Sequence, residues 1–352
     1  MPGYNSLKSK FDSSNMFDMI SGLSNQIQSS LAYMEDWTLK KKYSQIDNVL
    51  IMGMGGSAIG GDFVAAVLEQ DCEVPIIINR SYDIPNWVDE KTLVIASSYS
   101  GNTEETLSSF EQAVNKNAQI ICVTTGGELF KKAINSNLDI VEVPQGLQPR
   151  AAVGYSFTLN LLLLAKLGLT DYKKTKENLN KSVKNLIIWQ SEFQKIEIEN
   201  TAMEISYKIK DTYPIIYTAT GWTGVCALRF RGQLAENSKM LSSHFIFPEQ
   251  NHNEIEGWTC NPEIMGKMAI IWLNDEDDHK QIKKRKQISN ELLQQYPSEI
   301  IDIKMEGNSP IERMLKMIHF LDWVSYYTAL LNGVDPTPVN RITELKSKLV
   351  DK

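Results

Sequence analysis

Apolar and polar positions along this chain change period in a regular way. Met16, Ile20, Leu23, Ile27, Leu31 and Met34 recur at helical spacing, which predicts an amphipathic helix over 16–34. Short, nearly continuous apolar runs follow, at 48–52, 75–78, 93–97, 119–123 and 139–143. Each has strand length, and the segments between them read as helices, among them 107–114. Strands that alternate with helices and carry no polar face predict a parallel sheet covered on both sides. A long apolar helix is expected at 153–167, and a polar connector of one or two helices at 172–210. The strand pattern then restarts at 214–218, 243–247, 267–273 and 299–303, with a helix at 225–237 after the first of these. The order and gaps resemble the first half, so the chain reads as two copies of one α/β unit. An amphipathic helix at 310–331, a turn-rich break and a short helix at 341–349 close it. The expected divisions are a helical segment 1–43, a first α/β subdomain 44–170, a connector 171–210 and a second subdomain 211–352.

Composition narrows the class. The chain has 352 residues, 42% hydrophobic and 22% charged, enough for a sizeable core. A net charge of −7 gives no basic footprint for nucleic acid. No apolar run approaches a membrane span, and the first fifteen residues lack the apolar core of a signal peptide. The four cysteines are widely spaced and form no zinc-ligand pattern. A soluble, cytoplasmic protein with free thiols is expected, with no nucleic-acid or membrane partner.

Two segments carry candidate chemistry in the first half. Ser98-Tyr99-Ser100-Gly101-Asn102-Thr103-Glu104-Glu105-Thr106 lies between an apolar strand and a helix start. Short hydroxyls, a glycine turn and a helix N-terminus together suit a phosphate dianion. The same residues would also serve as an ordinary helix cap. A second segment tips the balance: Gly53-Met54-Gly55-Gly56-Ser57-Ala58-Ile59-Gly60-Gly61 follows strand 48–52 and opens another helix. Its Gly53-x-Gly55-x-x-Ala58 spacing also fits a dinucleotide fingerprint, but the next strand runs into Asn79-Arg80-Ser81 where a ribose-binding carboxylate is required. A sugar phosphate therefore ranks above a nucleotide. In the second half the matching loop, Asn274-Asp275-Glu276-Asp277-Asp278, is acidic and would repel phosphate.

The second half supplies titratable groups instead. Arg229 and Lys239 read as exposed charges on a helix. Glu236 stands alone among small polar residues in Gly232-Gln233-Leu234-Ala235-Glu236-Asn237-Ser238, as at a buried helix end. His252 sits in a loop after a strand, amid amides and carboxylates able to set its tautomer and pKa. An isolated histidine in a polar loop is also an ordinary surface residue. Arg150, after Pro149 at a helix start, is a candidate anion-binding cation. One carboxylate, one histidine and a cation beside a phosphate cradle suit aldose–ketose isomerisation with no metal and no organic cofactor.

With those residues in hand, the chain resembles the bifunctional phosphoglucose/phosphomannose isomerases of the sugar isomerase (SIS) superfamily. The segments that carry the resemblance are GMGGSAIGGD, SSYSGNTEET, PQGLQPRAAVGYSF, RGQLAENSK, FPEQNHNEIEGW and DPTPVNRITELKSKL. It implies two SIS-type, doubly wound, flavodoxin-like subdomains, a homodimer with shared active sites, and interconversion of fructose 6-phosphate with glucose 6-phosphate or mannose 6-phosphate. It implies that Ser57, Ser98, Ser100 and Thr103 hold the phosphate, with Gly55 and Gly56 at the substrate. It further implies Glu236 as base, His252 opening the ring in the partner subunit's site, Arg150 stabilising the enediolate, and Lys346 closing over the sugar. Thr337 or Val339 would tune the choice of epimer. The competing readings are a non-catalytic sugar-phosphate sensor on the same fold and an isomerase of another phosphosugar.

Overall fold

In the computed structural model, which describes residues 3–196, 198 and 200–350, the first five apolar runs form one all-parallel sheet. Its strands are β1 (Asn48–Met52), β2 (Ile76–Asn79), β3 (Thr92–Ser98), β4 (Gln119–Thr124) and β5 (Asp139–Glu142), in the order β2-β1-β3-β4-β5. From the β1–β3 pair the sheet grows outward in both directions. That pair is the switch point at which an open α/β sheet leaves a crevice beyond its strand ends. All seven residues of β3 are buried, which is why the strands read as unbroken apolar runs. Leu50, Met52, Val94, Ala96, Ile120 and Cys122 face Phe110, Ala113, Leu129 and Ala133 of helices Glu104–Asn115 and Gly127–Asn135. The other face takes helix Gly55–Leu68, on which a Cβ at Gly61 would lie 3.0 Å from Ile51 Cγ2. Helix Val153–Lys166 packs on that helix, and Leu23–Asp36 on Val153–Lys166. The result is the expected three-layer, flavodoxin-like order.

The second sheet comprises β6 (Tyr213–Thr218), β7 (Ser243–Ile246), β8 (Met268–Asn274) and β9 (Glu299–Lys304). All pairs are parallel and the order is β7-β6-β8-β9, the order of the first sheet without its fifth strand. Ile215, Tyr217, Ile270 and Trp272 pack against Leu293 of helix Lys280–Leu293 and against Phe247, Trp258 and Met265 from the loops. Helix Trp222–Glu236 packs against the same sheet, touching β6, β7 and β8.

The chain divides into two compact units, and each draws on separated segments. The N-terminal unit is Gly22–Leu186 with Ser309–Glu312; the C-terminal unit is Met1–Ser21, Ile187–Asn308 and Arg313–Lys352. The helix expected over 16–34 is therefore two, Met16–Ser21 and Leu23–Asp36, parted at Gly22. The first serves the C-terminal unit: Phe17 meets Trp323 edge to face at 4.9 Å, and Tyr326 Oη donates to Asp12 at 2.9 Å. The polar connector forms helices Tyr172–Phe193 and Thr201–Ile209. No described helix is long and apolar enough to cross a membrane.

Candidate active site

Both candidate phosphate segments of the N-terminal unit end at the β1–β3 switch point. β1 passes through Gly53 into helix Gly55–Leu68, and β3 passes through Tyr99–Asn102 into helix Glu104–Asn115, with Thr103 at its N-cap position. The two turns touch, because Ser57 Oγ accepts from the Tyr99 N–H at 3.1 Å. Gly53 allows that approach, since a Cβ there would lie 2.9 Å from the Ser97 carbonyl oxygen. Ser98 Oγ lies 2.9 Å from Thr103 Oγ1 and accepts the Gly101 N–H at 3.1 Å; Ser100 Oγ accepts the Asn102 N–H at 3.2 Å. Gly101 makes the turn at φ +70°. Ser57, Ser98, Ser100 and Thr103 are thus gathered around one mouth, with Ser57 and Ser98 buried beneath it.

The two helix starts at this mouth differ electrostatically. Helix Gly55–Leu68 has no acidic residue in its first turn and no side-chain cap. The Ser57 and Ala58 N–H groups turn back onto the Met54 carbonyl, so those of Gly55 and Gly56 are left for an anion. Glu104 and Glu105 open the other helix and already complement its dipole. The stronger anion end is therefore the glycine-rich one.

Arg150 reaches the same region on a 3₁₀ turn, Pro149–Ala151. Gly56 makes room for it: a Cβ there would fall 2.4 Å from the Pro149 carbonyl oxygen and 3.5 Å from the Arg150 nitrogen. Tyr99 staples the approach, its Oη donating to the Pro144 carbonyl and accepting the Leu147 N–H, both at 3.0 Å. Arg150 itself is buried.

In the C-terminal unit Glu236 is the last residue of helix Trp222–Glu236 and is half-buried. It lines a groove of about 840 Å³ with Lys239, Met240, Asp335, Val339 and Arg341. Lys239 Nζ donates to the Glu236 and Pro336 carbonyls, joining the helix end to the tail. Lys346, on the terminal helix Asn340–Val350, is exposed and is not among the groove's lining residues; from that helix Asn340, Arg341 and Ile342 are. Thr337 is buried, with its N–H on Asp335 Oδ1 at 2.8 Å, while Val339 lines the groove.

His252 is exposed at the end of a 3₁₀ turn, Glu249–His252, that follows β7. Several of the neighbouring amides and carboxylates bond to each other and to the core. Glu254 accepts from Tyr217 Oη at 2.7 Å, from Trp258 Nε1 at 3.1 Å and from Gln250 Nε2, and Glu249 accepts from Asn253. This clamp fixes the loop and leaves the ring outside. His252 and Glu236 lie at opposite ends of their sheet's strands. Since β6 and β7 are parallel, the 15-residue helix between them runs back about 22 Å against the strands. Glu236 therefore sits beyond the strands' starts and His252 beyond their ends.

Two expectations about charge need correction. Arg229 is buried, not exposed, because Asp322 binds it through both guanidinium Nη atoms. The acidic loop 274–278 does not stand as bare negative charge: Arg313 is paired with Asp275, Glu276 and Asp277, and Trp222 Nε1 donates to Asp275 at 3.1 Å. Both cations meet partners remote in sequence, which no local pattern reveals. Among the described residues no group of three or more His, Cys, Asp or Glu side chains is placed to hold a metal.

Comparison with known proteins agrees with this architecture. Residues 42–167 match the SIS domain, and residues 198–349 match the bacterial phospho-glucose isomerase C-terminal SIS domain. The bifunctional phosphoglucose/phosphomannose isomerase of Caldicellulosiruptor bescii is 42% identical over 96% of this chain and 99% of its own length. That of Aquifex aeolicus is 36% identical over 95% and 98%. In fold, the chain is similar to the C-terminal domain of glucosamine-fructose-6-phosphate aminotransferase from Francisella tularensis, with a TM-score of 0.73, 15% identity, and coverage of 92% of this chain and 98% of that one. With both domain types matched in order and such identity along nearly its whole length, the chain belongs to the family of bifunctional phosphoglucose/phosphomannose isomerases.

Proposed function

We infer that this protein interconverts fructose 6-phosphate with glucose 6-phosphate and mannose 6-phosphate through an enediol. Family membership supports the reaction, and the observation that carries it at the residue level is the cradle at the β1–β3 mouth. The sugar phosphate is held by Ser57, Ser98, Ser100 and Thr103 with the Gly55 and Gly56 N–H groups. Ser98, whose hydroxyl bonds within its own loop, also shapes the turn. Glu236 takes the proton from C1 or C2 and returns it to the other carbon, so no net proton leaves the sugar. Arg150 stabilises the negative oxygen of the enediolate. Lys346 closes over the sugar from the terminal helix. His252 moves the O5 and O1 protons in ring opening, and it does so in the site of a second copy. Its separation from Glu236 across one sheet supports that assignment and, with it, a homodimer.

A coupled assay in EDTA, on glucose 6-phosphate and mannose 6-phosphate separately, tests the reaction. Fructose 6-phosphate from both substrates is expected. Binding without turnover of either would make the protein a sensor. Glu236→Gln should lower kcat by about 10²–10⁴-fold while keeping the phosphosugar bound; a Gln variant that still isomerises would remove Glu236 as the base.

A further inference from the structure

Helix Trp222–Glu236 meets helix Pro310–Leu331 through a row of polar side chains. Arg229, Gln233 and Asn237 stand four residues apart, so they share one face, and all three are buried. The Asp322 carboxylate takes Arg229, with Nη2 to Oδ2 at 3.0 Å, and Gln233 Nε2 at 2.8 Å. One turn further on, Ser325 Oγ accepts Asn237 Nδ2 at 3.0 Å, and the Ser325 carbonyl accepts the Ser238 hydroxyl at 2.7 Å. Asn332 Nδ2 then donates to the Ser238 carbonyl at 3.0 Å.

Apolar side chains would join two helices at a lower desolvation cost, and they would tolerate sliding. The polar row is satisfied in one register. A slip of one residue moves a helix about 1.5 Å along its axis and turns it by about 100°. Each buried donor would then lose its acceptor, at the full cost of desolvation. Glu236 lies between Gln233 and Asn237, so the row grips the helix on both sides of it. We propose that Asp322 and Ser325 are positioning residues that fix where the Glu236 carboxylate stands. This rests on the reading of Glu236 as the base.

Replacing the row's first half by apolar residues separates positioning from packing. The triple variant Arg229→Met, Gln233→Leu, Asp322→Leu should melt at or above the parent's temperature, as replaced buried ion pairs often do. Its kcat should fall about 10²-fold, as for a base misplaced by about 1 Å, with KM changed less than about 2-fold. A triple variant that folds and keeps the parent's kcat overturns the proposal. If it does not fold, Ser325 decides: Ser325→Ala should lower kcat about 10-fold and Ser325→Thr should restore it, and parent-like kcat in the Ala variant overturns the proposal. Glu236→Gln is assayed alongside. Turnover in that variant removes the base reading itself; its inactivity beside fully active row variants removes the positioning role alone.

Discussion

Gly101 holds φ at +70°, and a Cβ there would fall 1.8 Å from the Gly126 carbonyl oxygen. Gly55 also has positive φ, +50°, but with open space around it. Gly101→Ala should therefore cost about 2–4 kcal/mol, from a backbone collision added to strain, and Gly55→Ala only about 1–2 kcal/mol. Urea midpoints of the two variants check the difference. His319 makes a second prediction. It is fully buried, its Nε2 accepts from Trp323 Nε1 at 2.8 Å, and burial, helped by Arg229, lowers its pKa to about 3. Below its unfolded value of about 6.5 the unfolded chain binds the proton and the native one does not. The stability it contributes is thus complete above pH 6.5 and lost by about 1.4 kcal/mol per pH unit on acidification toward pH 3. His319→Gln should flatten that slope in unfolding measured at pH 7, 6 and 5. Ser98, Ser100 and Thr103 were legible in the sequence because they lie in one short segment, and Ser57 because it follows a second strand in a glycine-rich turn. Arg229 and Arg313 were not, because what makes them buried is a carboxylate dozens of residues away.

Strands were legible to within a residue or two, most plainly where a strand is buried on both faces, as β3 is, and reads as a bounded apolar run. The N-terminal helices show where that logic stops. Helical spacing continues from Met16 to Met34, yet the two halves turn toward different cores at Gly22, and periodicity carries no record of which core a face meets. The His252 loop is another element whose order is invisible locally. Its anchor is a carboxylate shared by Tyr217, Gln250 and Trp258, and Tyr217 comes from β6, an inner strand of the sheet. Burial and the adjacent Glu254 raise the tyrosine's pKa, so it stays a hydroxyl donor across the working range. Tyr217→Phe leaves Glu254 short of a donor and should cost about 1–3 kcal/mol. Hydrogen exchange is the check: protection in 249–258 should fall further than in β6 and β8.

The whole molecule repeats one unit, and the repeat was legible as recurring strand spacing; the position of the residues proposed to do its chemistry was not. Among the described residues the second sheet has four strands, and Glu236 and His252 lie at opposite ends of them. If His252 works in a partner's site, mixing inactive Glu236→Gln with inactive His252→Gln chains should restore activity. Random exchange gives up to about a quarter of the wild-type rate, because half the dimers are mixed and each has one intact site. No recovery after verified exchange would return His252 to its own chain's site. The division of the chain also bears on its synthesis. Residues 22–186 supply nearly all of the N-terminal unit and can collapse as they leave the ribosome. The stretch before Gly22 emerges earlier still, but its partners Trp323 and Tyr326 are made some three hundred residues later. The segment around Phe17 is thus made early and placed late, so a change there would be felt by the half of the chain that is made long after it.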